Sequence, residues 1–120
     1  MTKSLEEIQQ EERQLEVDLE QVDDETRHLK QIEEEYDDFF YHTSIAFTEM
    51  DEQFEKNDFN WYLSDRLDGL RHQRFHIFTG LDEEQQQLNK QKQAITDTQS
   101  ELFYERKTML TKKEVSINER

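Results

Sequence analysis

The sequence predicts an all-α fold: an elongated antiparallel two-helix hairpin, coiled-coil-like. Three observations predict it. Apolar residues recur at alternating steps of three and four from Leu5 to Phe54, the period of a helical seam rather than a strand. A second run of the same kind goes from Leu63 to Met109, and the one good break, Lys56-Asn57-Asp58, lies between the two. The 120 residues include no proline and two glycines, with 32% hydrophobic and 38% charged side chains. That balance is too hydrophilic for a globule with a thick core, but it suits thin seams between long helices in a single domain, 1–120. The same balance also favours disorder. The unbroken heptad argues against disorder for most of the chain, with fraying expected over roughly the last eight residues.

The first helix is expected over about 4–55, roughly 80 Å at 1.5 Å per residue. Ser4 followed by Glu7 forms a capping box, and the acids of the first turns suit the positive end of the helix dipole. Its seam reads Leu5, Ile8, Glu12, Leu15, Leu19, Val22, Thr26, Leu29, Glu33, Tyr36, Phe40, Thr43, Phe47, Met50 and Phe54. Outside the seam, the first part of the helix is charged or amide-bearing. Between Phe39 and Phe47 the polar back disappears. There Phe39, Phe40, Tyr41, Ile45, Ala46 and Phe47 point almost all the way round. A helix that is apolar all round is a buried helix. One neighbouring helix cannot bury this one.

The turn is expected at about 56–58, with Asn57 ending one helix in the left-handed conformation and Asp58 capping the next. The second helix follows over about 59–115. Its seam reads Leu63, Leu67, Leu70, Arg74, Ile77, Leu81, Glu84, Leu88, Gln91, Ile95, Thr98, Leu102, Glu105 and Met109. Thr79-Gly80-Leu81-Asp82 is its weak point, a candidate kink with Asp82 placed to recap. Folding at 57 or 58 sets Tyr36–Phe54 beside Trp61–Leu81 and gathers most aromatics there. The expectation is a firm aromatic end and a loose polar end, the latter pinned by Leu5, Ile8 and Leu15 against Leu102 and Met109.

The net charge of −15 is unevenly placed. Residues 1–56 hold 19 acids and 5 bases, −14, while residues 57–120 hold 11 acids and 10 bases, −1. The first half repels phosphate, so no nucleic acid is expected as a partner. Two first helices would also repel each other, and a neutral or basic helix makes the better neighbour. No run is apolar enough to span a bilayer. The residues from Met1 to Glu12 lack the basic and apolar regions of a cleavable signal, so no membrane insertion is expected. With no cysteine, disulfides, thiolate metal sites and thiol nucleophiles are excluded, and the compartment is left open.

Candidate chemistry is sparse. Glu25-Thr26-Arg27-His28 has the Glu-x-x-His spacing of di-iron bundles, but such a site needs two copies, and His28 is on an outer position. His72 and His76 share a helical face without a third ligand fixed by spacing, so they read as a solvated pair. Glu33-Glu34-Glu35-Tyr36-Asp37-Asp38 cannot wrap calcium from a straight helix. No phosphate loop, nucleophilic triad or facing carboxylate pair can be assembled. No catalytic residue, metal or cofactor is therefore assigned, and an enzyme is not expected.

What remains are the apolar residues off the seam. On the first helix these are Val17, Ile32, Phe39, Tyr41, Ile45 and Ala46; on the second, Trp61, Phe75, Phe78, Phe103, Leu110 and Ile117. Single exposed apolar residues are ordinary. Clustered aromatics are not, since each forgoes roughly 1.5–3 kcal/mol of burial. Phe39, Tyr41, Ile45, Trp61, Phe75, Phe78 and Phe103 are the candidate partner-binding residues, offered to other helices.

Phe75-His76-Ile77-Phe78-Thr79-Gly80-Leu81-Asp82-Glu83-Glu84, followed by Leu102-Phe103-Tyr104-Glu105-Arg106-Lys107, resembles the C-terminal half of a small helical family of Gram-positive bacteria. These are the LXG-associated α-helical proteins, second type, encoded beside LXG-domain toxins of the type VII secretion system. The likeness covers residues 30–112. It implies a non-enzymatic adaptor, or targeting chaperone, that binds the helical N-terminal LXG domain of a cognate toxin together with a second small helical protein and promotes export. It further implies a cytoplasmic protein, or one co-secreted with the toxin. The chain is also similar in outline to the WXG/ESAT-like secreted hairpins, with departures. Trp61 is followed by Tyr62-Leu63 rather than x-Gly, and Tyr104 has Thr108 at the fourth place after it, where the export signal has an acid. Phe54-x-x-x-Asp58 matches only at the turn. Two other functions fit the residues: a self-assembling structural coiled coil, and an antitoxin that blocks a catalytic domain.

Overall fold

The computed structural model describes residues 3–53 and 58–118, with the side chains of 58 and 114–118 left out. Two helices make up an all-α antiparallel hairpin, α1 (Leu5–Gln53) and α2 (Asp58–Asn118). Phe54, the expected turn at Lys56 and Asn57, the Asp58 cap and the side chain of Ile117 lie outside the described residues.

The start of α1 follows from its first residues. The Glu7 N–H donates to Ser4 Oγ at 3.2 Å and the Ile8 N–H to the Ser4 carbonyl at 3.1 Å, so a serine satisfies two amides that would otherwise lack partners. Lys3 Nζ reaches Glu11 Oε2 at 2.8 Å, and that hydrogen bond holds the Lys3 ammonium above its ordinary pKa. Along α2 the candidate kink does not interrupt the helix, which runs through Gly69 and Gly80 with no positive φ. Threonine hydroxyls donate back to carbonyls one turn earlier: Thr26 to Val22, Thr48 to Ser44, Thr79 to Phe75 and Thr98 to Ala94, at 2.7–2.9 Å. This is how a hydroxyl is satisfied inside a helix without breaking the ladder.

Contacts divide the chain into two compact units. The terminal unit comprises Met1–Thr26 and Gln87–Arg120; the aromatic unit is Arg27–Gln86. In the terminal unit Ile8, Val22 and Leu102 are buried. Arg106 Nε lies 3.2 Å from Glu12 Oε1, and Lys92 Nζ lies 3.1 Å from Asp23 Oδ1. Partners on α2 thus run backwards as α1 runs forwards, as an antiparallel pair requires. The Arg106 N–H is not aimed at the carboxylate, so that contact is charge attraction rather than a formed hydrogen bond.

In the aromatic unit Leu29, Phe40 and Leu63 are buried. The Phe40 ring is the hub, with centroids 5.3 Å from Phe39, 6.3 Å from Tyr36 and 6.2 Å from Phe78 on α2. Arg74 occupies a seam position yet stays exposed. It pairs with Asp37 at 3.2 Å and lies over the Phe78 ring at 5.3 Å. A guanidinium at an inner position has turned outwards and left only its stem and face to the packing.

The seam of α2 departs from the expected one. From Leu63 as far as Ile77 the covered residues are Leu63, Leu67, Leu70 and Ile77. From there on Phe78, Gln85, Gln99 and Arg106 are half-buried beside Leu81, Leu88, Ile95, Leu102 and Met109. Glu84, Gln91 and Glu105 face solvent, although Thr98 stays half-buried. The inner column has moved on by one residue. An α-helix lags a seven-residue repeat by about 20° per heptad, so roughly two and a half heptads suffice for that change of column. On α1, the seam positions Tyr36 and Met50 are also left exposed.

Candidate interaction surface

The residues that lie off the seam are the ones α1 and α2 cannot cover. Of the candidates, Trp61 is 76% exposed, Phe75 68%, Tyr41 63% and Phe39 56%, while Phe103 and Ile45 are exposed to a lesser degree. Phe78 stands apart. It is half-buried against Phe40 because the change of column has turned it inwards. Val17 and Leu110 are exposed, whereas Ile32 is half-buried.

Exposure gives the aromatic unit two flanks of opposite character. On α1, Tyr41 and Ile45 share a stripe with Glu34, Asp38, Thr48 and Glu52, all exposed and three or four residues apart. That stripe is apolar at its centre and acidic at both ends. On α2, Trp61 and Phe75 lie two heptads apart in one column, with the cations Arg66, Arg71 and Arg74 on the same stretch. Arg66 lies over Tyr62 at 5.1 Å, and Tyr62 stacks on Phe59 at 5.6 Å. An open groove on α2 is lined by Arg71, Arg74, Phe75, Phe78, Thr79 and Asp82. Such flanks are equipped to bind other side chains by apolar contact with a charged rim. In the terminal unit, Phe103 carries Arg106 over its ring at 5.7 Å, and Tyr104 is exposed beside it.

Three exposed aromatics were not singled out from the sequence: Phe59, Tyr62 and Tyr104. The signal for two of them was their neighbour, because Trp61-Tyr62 and Phe103-Tyr104 place successive rings on adjacent outer columns. His72 and His76 lie close together on the outside of α2. Among the described residues no group of three or more histidine, cysteine, aspartate or glutamate side chains is arranged to hold a metal ion. Among them, too, no helix is long and apolar enough to cross a membrane.

A family profile described as protein of unknown function DUF3958 matches residues 3–109, and the chain belongs to that family. No curated protein and no solved structure matches the chain.

Proposed function

We propose that this member of the DUF3958 family is a non-enzymatic adaptor that binds the helical N-terminal LXG domain of a type VII secretion toxin, with a second small helical protein, and promotes the toxin's export. One observation carries the reading. Trp61, Phe75, Tyr41 and Phe39 remain more than half exposed after the two helices have packed. Aromatic residues are preferred anchors of protein interfaces, and a helical flank with anchors at heptad spacing suits other helices. The resemblance of Phe75–Glu84 and Leu102–Lys107 to the LXG-associated helical proteins supplies the identity of the partner. On this reading the protein works in the cytoplasm or leaves the cell with its cargo.

The test is co-purification with the N-terminal domain of the toxin encoded beside it. The expected result is one co-eluting complex with a higher Tm than either part. Separate elution and unchanged Tm values would reject the reading. The second reading is a self-assembling structural coiled coil. It is favoured by the near-neutral second half, which opposes self-association less than the acidic first half does. Sedimentation equilibrium separates the two, since a stable homo-oligomer of the chain alone at micromolar concentration favours self-assembly.

A further inference from the structure

His72 and His76 are one helical turn apart on α2, and both are exposed. Their Nε2 atoms lie 3.1 Å apart, and the rings meet edge to face with centroids at 4.5 Å. Phe75 contacts the His76 ring edge-on at 5.9 Å and limits its freedom to turn away. At that separation, one neutral ring donates its Nε2 proton to the Nε2 lone pair of the other. Two ring nitrogens therefore already converge to within a hydrogen bond of each other.

A divalent transition metal needs the same convergence. Zinc holds imidazole nitrogens at about 2.0–2.1 Å in a tetrahedron, which sets two of them roughly 3.4 Å apart. Right-angled ligation, as in tetragonal copper(II) or nickel(II) sites, brings two such nitrogens to about 2.9 Å. The observed 3.1 Å lies between these values. Calcium and magnesium are not candidates, because they prefer oxygen.

We propose that His72 and His76 form a two-nitrogen site for a borderline divalent metal such as Cu2+, Ni2+ or Zn2+. The two Nε2 atoms are the donors, and water fills the remaining positions. Loading moves the donor ring's proton from Nε2 to Nδ1 through solvent, so that both neutral rings present an Nε2 lone pair to the metal with no net proton released. The missing third protein ligand makes this a chelate of modest affinity, unlike a closed structural zinc centre. The donors themselves are not among the anchors of the adaptor reading, although Phe75 borders both.

Isothermal titration of the full chain with CuCl2 or ZnCl2 alone, at neutral pH, tests this. The wild type is expected to bind one ion per chain, and His72→Ala and His76→Ala are each expected to bind at least about tenfold more weakly. A third variant combines His76→Ala with Gln73→His. It keeps four histidines but sets the pair on adjacent positions, which face apart on a helix. It should fail to recover binding, and saturating metal should raise the Tm of the wild type but not of this variant. Equal binding by the relocated variant, or by the His72→Ala/His76→Ala double variant, would overturn the proposal and assign the ion to His28, His42 or the terminus. Far-UV circular dichroism confirms that each variant is helical.

Discussion

The two units have the same number of deeply buried side chains among the described residues: Ile8, Val22 and Leu102 in the terminal unit, and Leu29, Phe40 and Leu63 in the aromatic unit. Their exteriors differ sharply. The aromatic unit exposes Tyr36, Phe39, Tyr41, Phe59, Trp61, Tyr62 and Phe75, whereas the terminal unit exposes Phe103 and Tyr104. The expected contrast between a firm aromatic end and a loose polar end is one of stability, and the measurements below test it. Most of the described rings of the aromatic unit are outside, so they add contact surface as well as core. Both units carry cross-helix charge, Arg106–Glu12 and Lys92–Asp23 in the terminal unit and Arg74–Asp37 in the aromatic one.

The largest expected effect tests whether the two cores are equal. Phe40→Ala should cost about 3–5 kcal/mol and Leu102→Ala about 2–5 kcal/mol, read from urea midpoints at constant m. If one of them costs under about 1 kcal/mol, the units are not matched. Next come the exteriors. Trp61→Ser and Phe75→Ser should leave the stability of the isolated chain within about 0.5 kcal/mol while weakening an aromatic-anchored complex by about 2 kcal/mol or more. Val17→Ser, in the terminal unit, should change neither. Equal loss of binding at Val17 would remove the distinction between the two exteriors.

Smaller effects sharpen the contrast. Ser4→Ala removes a cap at the start of α1 and should cost about 1 kcal/mol, seen as helicity lost by circular dichroism. Both glycines, Gly69 and Gly80, lie in the aromatic unit, and a methyl group on either would meet nothing within 4 Å. Gly69→Ala and Gly80→Ala should each raise stability by roughly 0.5–1 kcal/mol. Smallest is Arg74→Ala, which removes an exposed ion pair to Asp37 and should cost no more than about 1 kcal/mol, with the difference shrinking in added salt.

Much of the fold was legible because burial follows the period. Among the described residues, the six deeply buried ones, Ile8, Val22, Leu29, Phe40, Leu63 and Leu102, lie on the alternating three-and-four walk. The change of column along α2 was not legible. A walk with a fixed seven-residue repeat assigned Glu84 and Glu105 to the inside, where Gln85 and Arg106 take their place, while Gln91 and Lys92 are both exposed and Thr98 and Gln99 both half-buried. Phe78 was misgrouped with the exposed rings for the same reason, since it sits one residue past the walk at the point where the stripe moves. Trp61, Phe75, Phe39 and Tyr41 were legible as surface candidates because they lie off the walk, and the columns beside them do not move far enough to bring them inside.

The threonine bonds along the helices change what an approaching molecule would touch. At Thr48, in the column of Tyr41, and at Thr79, one turn after Phe75, the hydroxyl proton is already spent on a carbonyl of its own chain. What projects beside the rings is then largely a methyl group, although hydropathy scales count the residue as polar. These patches are greasier than their letters suggest. Discrimination there would come from shape and dispersion, with few new polar bonds to reward a poorly fitting visitor.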